Sequence, residues 1–159
     1  MMKQRLAFLL VIIWMLFIFV WSHQTGPESS ETSGKIIRFL SALGIGITSR
    51  TELILHHFIR KVAHFFEYFI LSLLLFNYLR ELMEGKGLYL WPISISFLYA
   101  CSDEIHQIYV PGRVGSWKDV VIDTAGASAA MLLVFAYRSL RNHRKPNHKV
   151  MDSTKSESL

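Results

Sequence analysis

The 159-residue chain has one cysteine, Cys101, four prolines and few charged residues, with Asp, Glu, Lys and Arg together making up 18%. One cysteine cannot pair within the chain, so a disulfide scaffold is excluded, as is a zinc ribbon or finger built on paired CxxC motifs. Soluble domains carry roughly 25% charged residues. Here apolar side chains fill the gap, at 52% hydrophobic and 13% aromatic, with a mean hydropathy of +0.32. That much Leu, Ile, Val and Phe excludes disorder. The net charge of +5 is gathered at the ends, where Arg138, Arg141, Arg144 and Lys145 follow an apolar run. Such a cluster marks the inner flank of a membrane protein and not a face that tracks nucleic acid, so no nucleic-acid partner is expected.

What is present is four apolar stretches. Residues 6–21 carry no charge and are flanked by Lys3 and Arg5. A spanning helix needs roughly 20 apolar residues, so this one is slightly short. Val20-Trp21-Ser22-His23 lacks a small-x-small cleavage pattern, which favours an uncleaved helix over a signal peptide. The second stretch opens on Ser49-Arg50-Thr51-Glu52, a capping-box pattern, and continues over 53–79. It is broken by His56, His57, Arg60, Lys61, His64 and Glu67. The third runs from Leu88 to Cys101, with Pro92 tolerable near the first turn, and leads into Ser102-Asp103-Glu104-Ile105-His106-Gln107. The fourth opens at Ser116, with Asp119 three positions on as a capping partner, and passes through Asp123 to about Tyr137.

These patterns predict an all-α integral membrane bundle of four transmembrane helices over about 6–21, 53–79, 88–107 and 117–137. The membrane domain takes 1–137, and a basic, disordered cytoplasmic tail takes 138–159. In the first outer loop Gly26-Pro27-Glu28-Ser29-Ser30 reads as a turn. Ser33 could cap a short amphipathic helix over 35–43, with Ile36, Ile37, Leu40 and Leu43 on one face. That helix either lies on the outer membrane surface or packs on the bundle, and both readings stay open.

Orientation follows from Lys and Arg. Lys3, Arg5, Arg80, Lys86, Arg138, Arg141, Arg144, Lys145, Lys149 and Lys155 make ten on the side of the termini, against seven on the other. Both termini are therefore expected in the cytoplasm of a multi-pass cell-membrane protein.

This topology brings the polar residues together. Lys61, His64 and Glu67 fall in the outer half of the second span, Asp103, Glu104, His106 and Gln107 at the outer end of the third, and Asp119 and Asp123 in the first turns of the fourth. Arg113 sits in the connecting loop. Ionisable residues within spans usually face a bundle interior or a wet cavity. By helical spacing His57, Lys61, His64 and Tyr68 share a face, and Asp103, His106 and Gln107 share another, with Glu104 turned away. Gly126 and Ala130 continue the Asp119–Asp123 face as a small-xxx-small pattern that permits close packing. Lys61, Arg113 and Lys118 against Glu67, Asp103, Glu104, Asp119 and Asp123 leave a balance of −2. That surplus beside two histidines could hold a divalent cation, and the basic residues could meet a phosphate.

The chain resembles the VanZ-like family of small bacterial membrane proteins. The resemblance rests on Lys61-Val62-Ala63-His64-Phe65-Phe66-Glu67-Tyr68, Ser102-Asp103-Glu104-Ile105-His106-Gln107, Val110-Pro111-Gly112-Arg113 and Asp119-Val120-Val121-Ile122-Asp123-Thr124-Ala125-Gly126. Ile18 to Gln24 is similar to the family's first-helix exit, with His23 in place of a second serine. Thr124 stands where an asparagine is expected. The resemblance covers about residues 6–137 and implies four membrane helices in the cell envelope. The family's namesake is linked to resistance against teicoplanin, a glycopeptide that acts on the outer-face peptidoglycan precursor.

Three functional classes stay open. In the first, a membrane enzyme acts on an envelope lipid or its phosphate headgroup. Asp103 or Asp123 serves as base or metal ligand, His64 or His106 carries protons, and Arg113 with Lys61 holds phosphate. Glu67, Glu104, Gln107 and Asp119 complete the ligand-binding set. In the second, the pocket binds or transports a ligand without chemistry, as an ion-coupled transporter. Four helices are few for that task, so a homo-oligomer would be needed. In the third, the chain is a structural membrane partner. No reaction signature such as GxSxG separates them.

Overall fold

The structure, a computed structural model, describes residues 2–143. Among these residues it is all-helical, with five helices and no strand: α1 (Met2–Ser22), α2 (Gly26–Ala42), α3 (Ser49–Leu79), α4 (Gly87–Gln107) and α5 (Trp117–His143). α1, α3 and α5 are long and apolar enough to cross a membrane, which makes this a multi-pass membrane protein. α4 has 21 residues, the length of α1, but its C-terminal end carries Asp103 and Glu104, and it is not among the three. α5 runs unbroken to His143, so the expected tail begins as helix. The rest of that tail, 144–159, lies outside the described residues.

α3 is the centre of the bundle and packs against α1, α2, α4 and α5, whereas α1 and α5 do not touch. With 31 residues, it is about 47 Å long at 1.5 Å per residue, against a hydrocarbon core of about 30 Å. About 20 residues back from Leu79 are needed to cross, which reaches Arg60, so the turns before Arg60 can stand at the interface while the rest of α3 crosses. Tyr68, Leu71 and Leu75 of α3 form one core with Val11, Ile18 and Ala100. Phe76 and Leu79 form a second with Leu88, Ala130 and Met131. Many other large apolar side chains, such as Ile13 and Leu16 on α1 and Leu132 and Leu133 on α5, point outward. A lipid solvent tolerates that arrangement. Two polar bonds join α1 to its neighbours inside this apolar setting. Trp14 Nε1 donates to the Glu67 carbonyl at 2.9 Å, and Tyr99 Oη donates to the Met15 carbonyl at 2.6 Å.

Four local expectations need correction. Gly26-Pro27 is not a turn, because Thr25 caps α2, Pro27 occupies its first turn, and Glu28 closes a capping box with Thr25. Proline belongs there, since its missing N–H would be unpaired anyway. The backbone and hydroxyl of Thr25 donate to the Glu28 carboxylate and hold it below the usual carboxylate range. α2 is thus 17 residues long, and it turns Ser29, Ser33 and Ile37 to the bundle while Ile36, Phe39 and Leu43 stay exposed. Ser33 does not cap the helix; it meets His56 of α3 at 2.6 Å. α3 is capped by Thr48, paired with Thr51, one residue before the expected Ser49. Pro92 is the sixth residue of α4 and lies beyond its first turn.

α3 and α5 come into backbone contact at Gly126. A Cβ there would overlap the carbonyl oxygen of Phe65. Gly46, in the α2–α3 connection, has nothing within 4 Å of a Cβ. Gly126→Ala is therefore expected to cost about 1–3 kcal/mol by overpacking and to lower the thermal midpoint in detergent, while Gly46→Ala leaves it unchanged. Equal midpoints for the two variants would contradict the packing described.

Candidate functional site

The α3–α5 contact sets the site. One residue before Phe65, His64 is 9% exposed, and three residues before Gly126, Asp123 is 0% exposed. His64 Nδ1 stands 3.3 Å from Asp123 Oδ1, without the alignment of a hydrogen bond. Glu104 of α4 completes a triangle: one ligand atom from each of His64, Glu104 and Asp123 lies within 4.8 Å of the others. His64 Nδ1, Glu104 Oε1 and both Asp123 carboxylate oxygens are buried without a hydrogen-bond partner. Thr124, at the departure from the family pattern, does not supply one, because its hydroxyl donates to the Val120 carbonyl of its own helix at 2.7 Å.

Toward the N-terminal end of α5, Lys61 of α3 pairs with Asp119. Asp119 was expected as a cap for α5. Instead the N–H of Ser116 donates to Glu104 Oε2 at 2.6 Å, and the Asp119 carboxylate is spent on Lys61. The first turn of α5 is thereby tied to α4 by one acid and to α3 by the other.

The faces of α4 also differ from expectation. Glu104 is not turned away; it is buried toward α3 and α5, as are Asp103 and Gln107 toward α1. Gln107 Nε2 donates to Asp103 Oδ2 at 3.1 Å and to Ser22 Oγ of α1 at 3.0 Å. His106 is the residue that leaves the cluster. It lies on an exposed edge, with Nε2 3.1 Å from His23 Nδ1 and its ring against Phe19. Adjacent helical residues differ by about 100°. Asp103 and Glu104 can therefore serve two neighbours at once, and His106 is rotated off both. His57, expected on the His64 face, is exposed and bonds back to the Leu53 carbonyl of its own helix.

The Val110-Pro111-Gly112-Arg113 loop closes this end of the bundle. Gly112 has φ +74°, in the left-handed region that favours glycine. The Pro111 carbonyl accepts the N–H of Gly26 at 3.2 Å, and Arg113 Nε donates to the Gln24 carbonyl at 2.9 Å. A Cβ on Gly26 would stand 2.5 Å from the Gly112 carbonyl oxygen, so the α1–α2 junction docks directly on this loop. Burial, together with Arg60, lowers the pKa of Arg113, while Asp103 and Glu104 act against the shift. Its Nη1 has no partner. Below the loop lies a cavity of about 30 Å³ lined by Trp21, Ser22, Ser29, Arg60, Ala63, His64, Glu67 and Arg113. That is room for one water.

Sequence reasoning missed Ser22, Gln24 and Arg60 as parts of this site. It also missed a polar stripe deeper in the bundle. Tyr68 and Ser72 follow His64 at four-residue steps on α3, and with Ser96 of α4 they are buried with unpartnered hydroxyls. Ser22 stood within the recognised first-helix exit, and Tyr68 on the recognised stripe. Gln24 uses only its backbone, which no side-chain pattern announces.

The Lys61–Asp119 pair yields a directional prediction. Lys61→Met strands a buried carboxylate, whereas Asp119→Asn leaves a lysine that can reach the interface. The side chain of Lys61 is 38% exposed, so its loss is expected to cost about 1–3 kcal/mol, less than for a fully buried pair. Asp119→Asn should cost less, and the double variant should recover most of the Lys61→Met loss in a double-mutant cycle of thermal unfolding. Strictly additive effects would contradict the pairing.

A family model described as VanZ/LLP1 matches residues 7–138. No curated protein matches the chain, and no solved structure does. The match spans α1 to α5 and takes in all the polar segments that meet at the α4–α5 loop end of the bundle. The chain therefore belongs to the VanZ/LLP1 family.

Proposed function

We propose that this VanZ-like membrane protein binds a phosphate-bearing lipid headgroup at the outer face of the bacterial cell membrane. The observation that carries the reading is Arg113. It is held at the wall of a cavity by the Gln24 carbonyl, and its Nη1 is buried and free. Guanidinium recognises phosphate with fixed, charge-assisted hydrogen bonds. Arg60 lines the same cavity, and it takes the phosphate-facing place that the sequence suggested for Lys61, which is occupied with Asp119. The cavity admits a single phosphate oxygen, with the rest of the headgroup at its mouth. α4 is the fourth span in this reading, and the termini are cytoplasmic. A lipid-linked envelope precursor has this headgroup chemistry and would connect the site to glycopeptide (teicoplanin) susceptibility. Asp123 and His64 stand behind the phosphate position, where they could exchange protons with it. Whether the bound lipid turns over is what a product assay on the same sample reads.

The binding test uses the full chain in nanodiscs, titrated with a polyprenyl diphosphate. Saturable binding is expected. Arg113→Ala is expected to weaken it about tenfold, the scale of one charge-assisted hydrogen bond (about 1.5–3 kcal/mol), with folded amount unchanged. Binding that is absent, or indifferent to both Arg113→Ala and Arg60→Ala, would remove the reading.

The orientation has its own check. Val114 is 83% exposed in the α4–α5 loop. In a Cys101→Ala background, Val114→Cys should react with a membrane-impermeant thiol reagent added to intact cells. Reaction only after the cytoplasmic side is opened would invert the topology.

A further inference from the structure

We propose that His64, Glu104 and Asp123 form a binding site for a first-row divalent metal ion of the zinc or manganese class. The three residues come from α3, α4 and α5, so the site is assembled only when the bundle is folded. Their ligand atoms lie within 4.8 Å of one another. An ion at the centre of such a triangle is at most about 2.8 Å from each atom, and small side-chain rotations would close that to the roughly 2.0–2.2 Å of zinc–nitrogen and zinc–oxygen bonds.

The second observation is independent of the clustering. Asp123 has no exposed surface and neither of its carboxylate oxygens has a hydrogen-bond partner. Glu104 is 5% exposed, and its Oε1 is also unpartnered. A buried carboxylate without a partner is expensive, so two side by side call for a cation. Among the described residues, none of the obvious cations reaches them. Lys61 is paired with Asp119, Arg113 is bound to the Gln24 carbonyl, and only His64 comes within ion-pair distance of Asp123. The other oxygen of Glu104 is held by the Ser116 N–H at 2.6 Å, which leaves Oε1 as the free end. Hydrogen bonds of this kind from an outer shell orient ligands in metal sites. Gly115 allows that turn, because a Cβ there would stand 2.6 Å from the Glu104 carbonyl oxygen.

The donor set selects the ion. One imidazole and two carboxylates form a mixed nitrogen–oxygen site, which suits zinc or manganese better than the all-oxygen shells of calcium and magnesium. Three protein ligands leave at least one position open, and His64 also lines the cavity beneath Arg113. A water or a phosphate oxygen would complete the shell there. The metal shares its site with the lipid reading, but it is measured without lipid, so either can fail alone.

The test takes the full chain, purified in detergent with any affinity tag removed, stripped with a chelator and dialysed against Zn²⁺ or Mn²⁺ alone. Elemental analysis should find one tight equivalent per chain, and reloading should raise the thermal midpoint. Asp123→Asn and Glu104→Gln should each weaken binding at least about tenfold, the loss that even outer-shell changes cause in metal sites. Glu81→Gln, at an exposed site, should not. His106→Asn should also retain the tight equivalent, and a loss there would move the metal to the exposed His23–His106 pair and overturn the proposal. The wild-type chain decides the case even if a variant fails to fold. No tight equivalent of either metal, with a midpoint indifferent to chelator, would mean that the two carboxylates are kept buried by protonation instead.

Discussion

Two helices can lie backbone against backbone only where one of them lacks a side chain, and in this bundle that place is Gly126 on the Phe65 carbonyl. The contact decides more than packing. Asp123 precedes Gly126 by three residues and shares its face, while His64 precedes Phe65. Bringing the glycine down on α3 therefore brings a carboxylate down beside an imidazole, 3.3 Å apart. A larger residue at 126 would push Asp123 outward toward lipid or the interface, where its charge could be hydrated. The small residue thus makes the buried acid unavoidable, and the surrounding polar groups answer that burial. Ala127 and Ala130, both without exposed surface, extend the same close seam toward the C-terminal end of α5.

Along α3 the polar groups are graded with depth. Arg60 and the loop-borne Arg113 stand at the mouth, and Lys61 with Asp119 forms an ion pair of which the lysine remains partly wet. The His64–Glu104–Asp123 triangle comes next, and then the hydroxyls of Tyr68 and Ser72. The order follows the dielectric. Full charges that can be hydrated or paired sit outermost, and uncharged hydroxyls sit where an ion would be least tolerable. The triangle occupies the one level where formal charge is both buried and incompletely matched. Chemistry or ligand binding has most to gain there, because electrostatic interactions strengthen as water is excluded.

Much of this was legible in the sequence, and the parts that were not have physical reasons. The long helices were visible because apolar runs of membrane length are hard to mistake, and threading those runs back and forth puts the polar segments of α3, α4 and α5 at one end of the bundle, though with Glu104 turned away and His106 turned in. The start of α2 was misread because Gly-Pro serves turns and helix first turns alike. What separates them is the Thr25–Glu28 pairing, which depends on spacing to a residue outside the dipeptide. The role of Asp119 was misread because a carboxylate three residues after a serine fits a cap. The sequence could not show that Glu104 would reach the Ser116 N–H first. Glu104 was assigned outward because a helix was treated as having one functional face. α4 has three neighbours and presents Asp103 to one, Glu104 to another and His106 to the rim.

The same logic changes how the exit from α1 is understood. Ser22, Gln24 and Gly26 look like the beginning of a linker, yet each touches a different part of the α4–α5 loop end. Ser22 accepts from Gln107, the Gln24 carbonyl accepts from Arg113, and the Gly26 N–H donates to Pro111. Three contacts within five residues fix a segment that has no packing core of its own. Two of them use the backbone, so they constrain chain path more than residue type. Arg113 is the dependent party: with Nε committed to Gln24, its guanidinium plane is set, and Nη1 is directed by the exit of a helix far away in the chain. A guanidinium free to rotate would turn to the nearest carboxylate, and Glu67, Asp103 and Glu104 are all close enough to draw it. The strap between α1 and the Pro111-Gly112-Arg113 turn thus keeps the Arg113 guanidinium from turning onto the site's own acids.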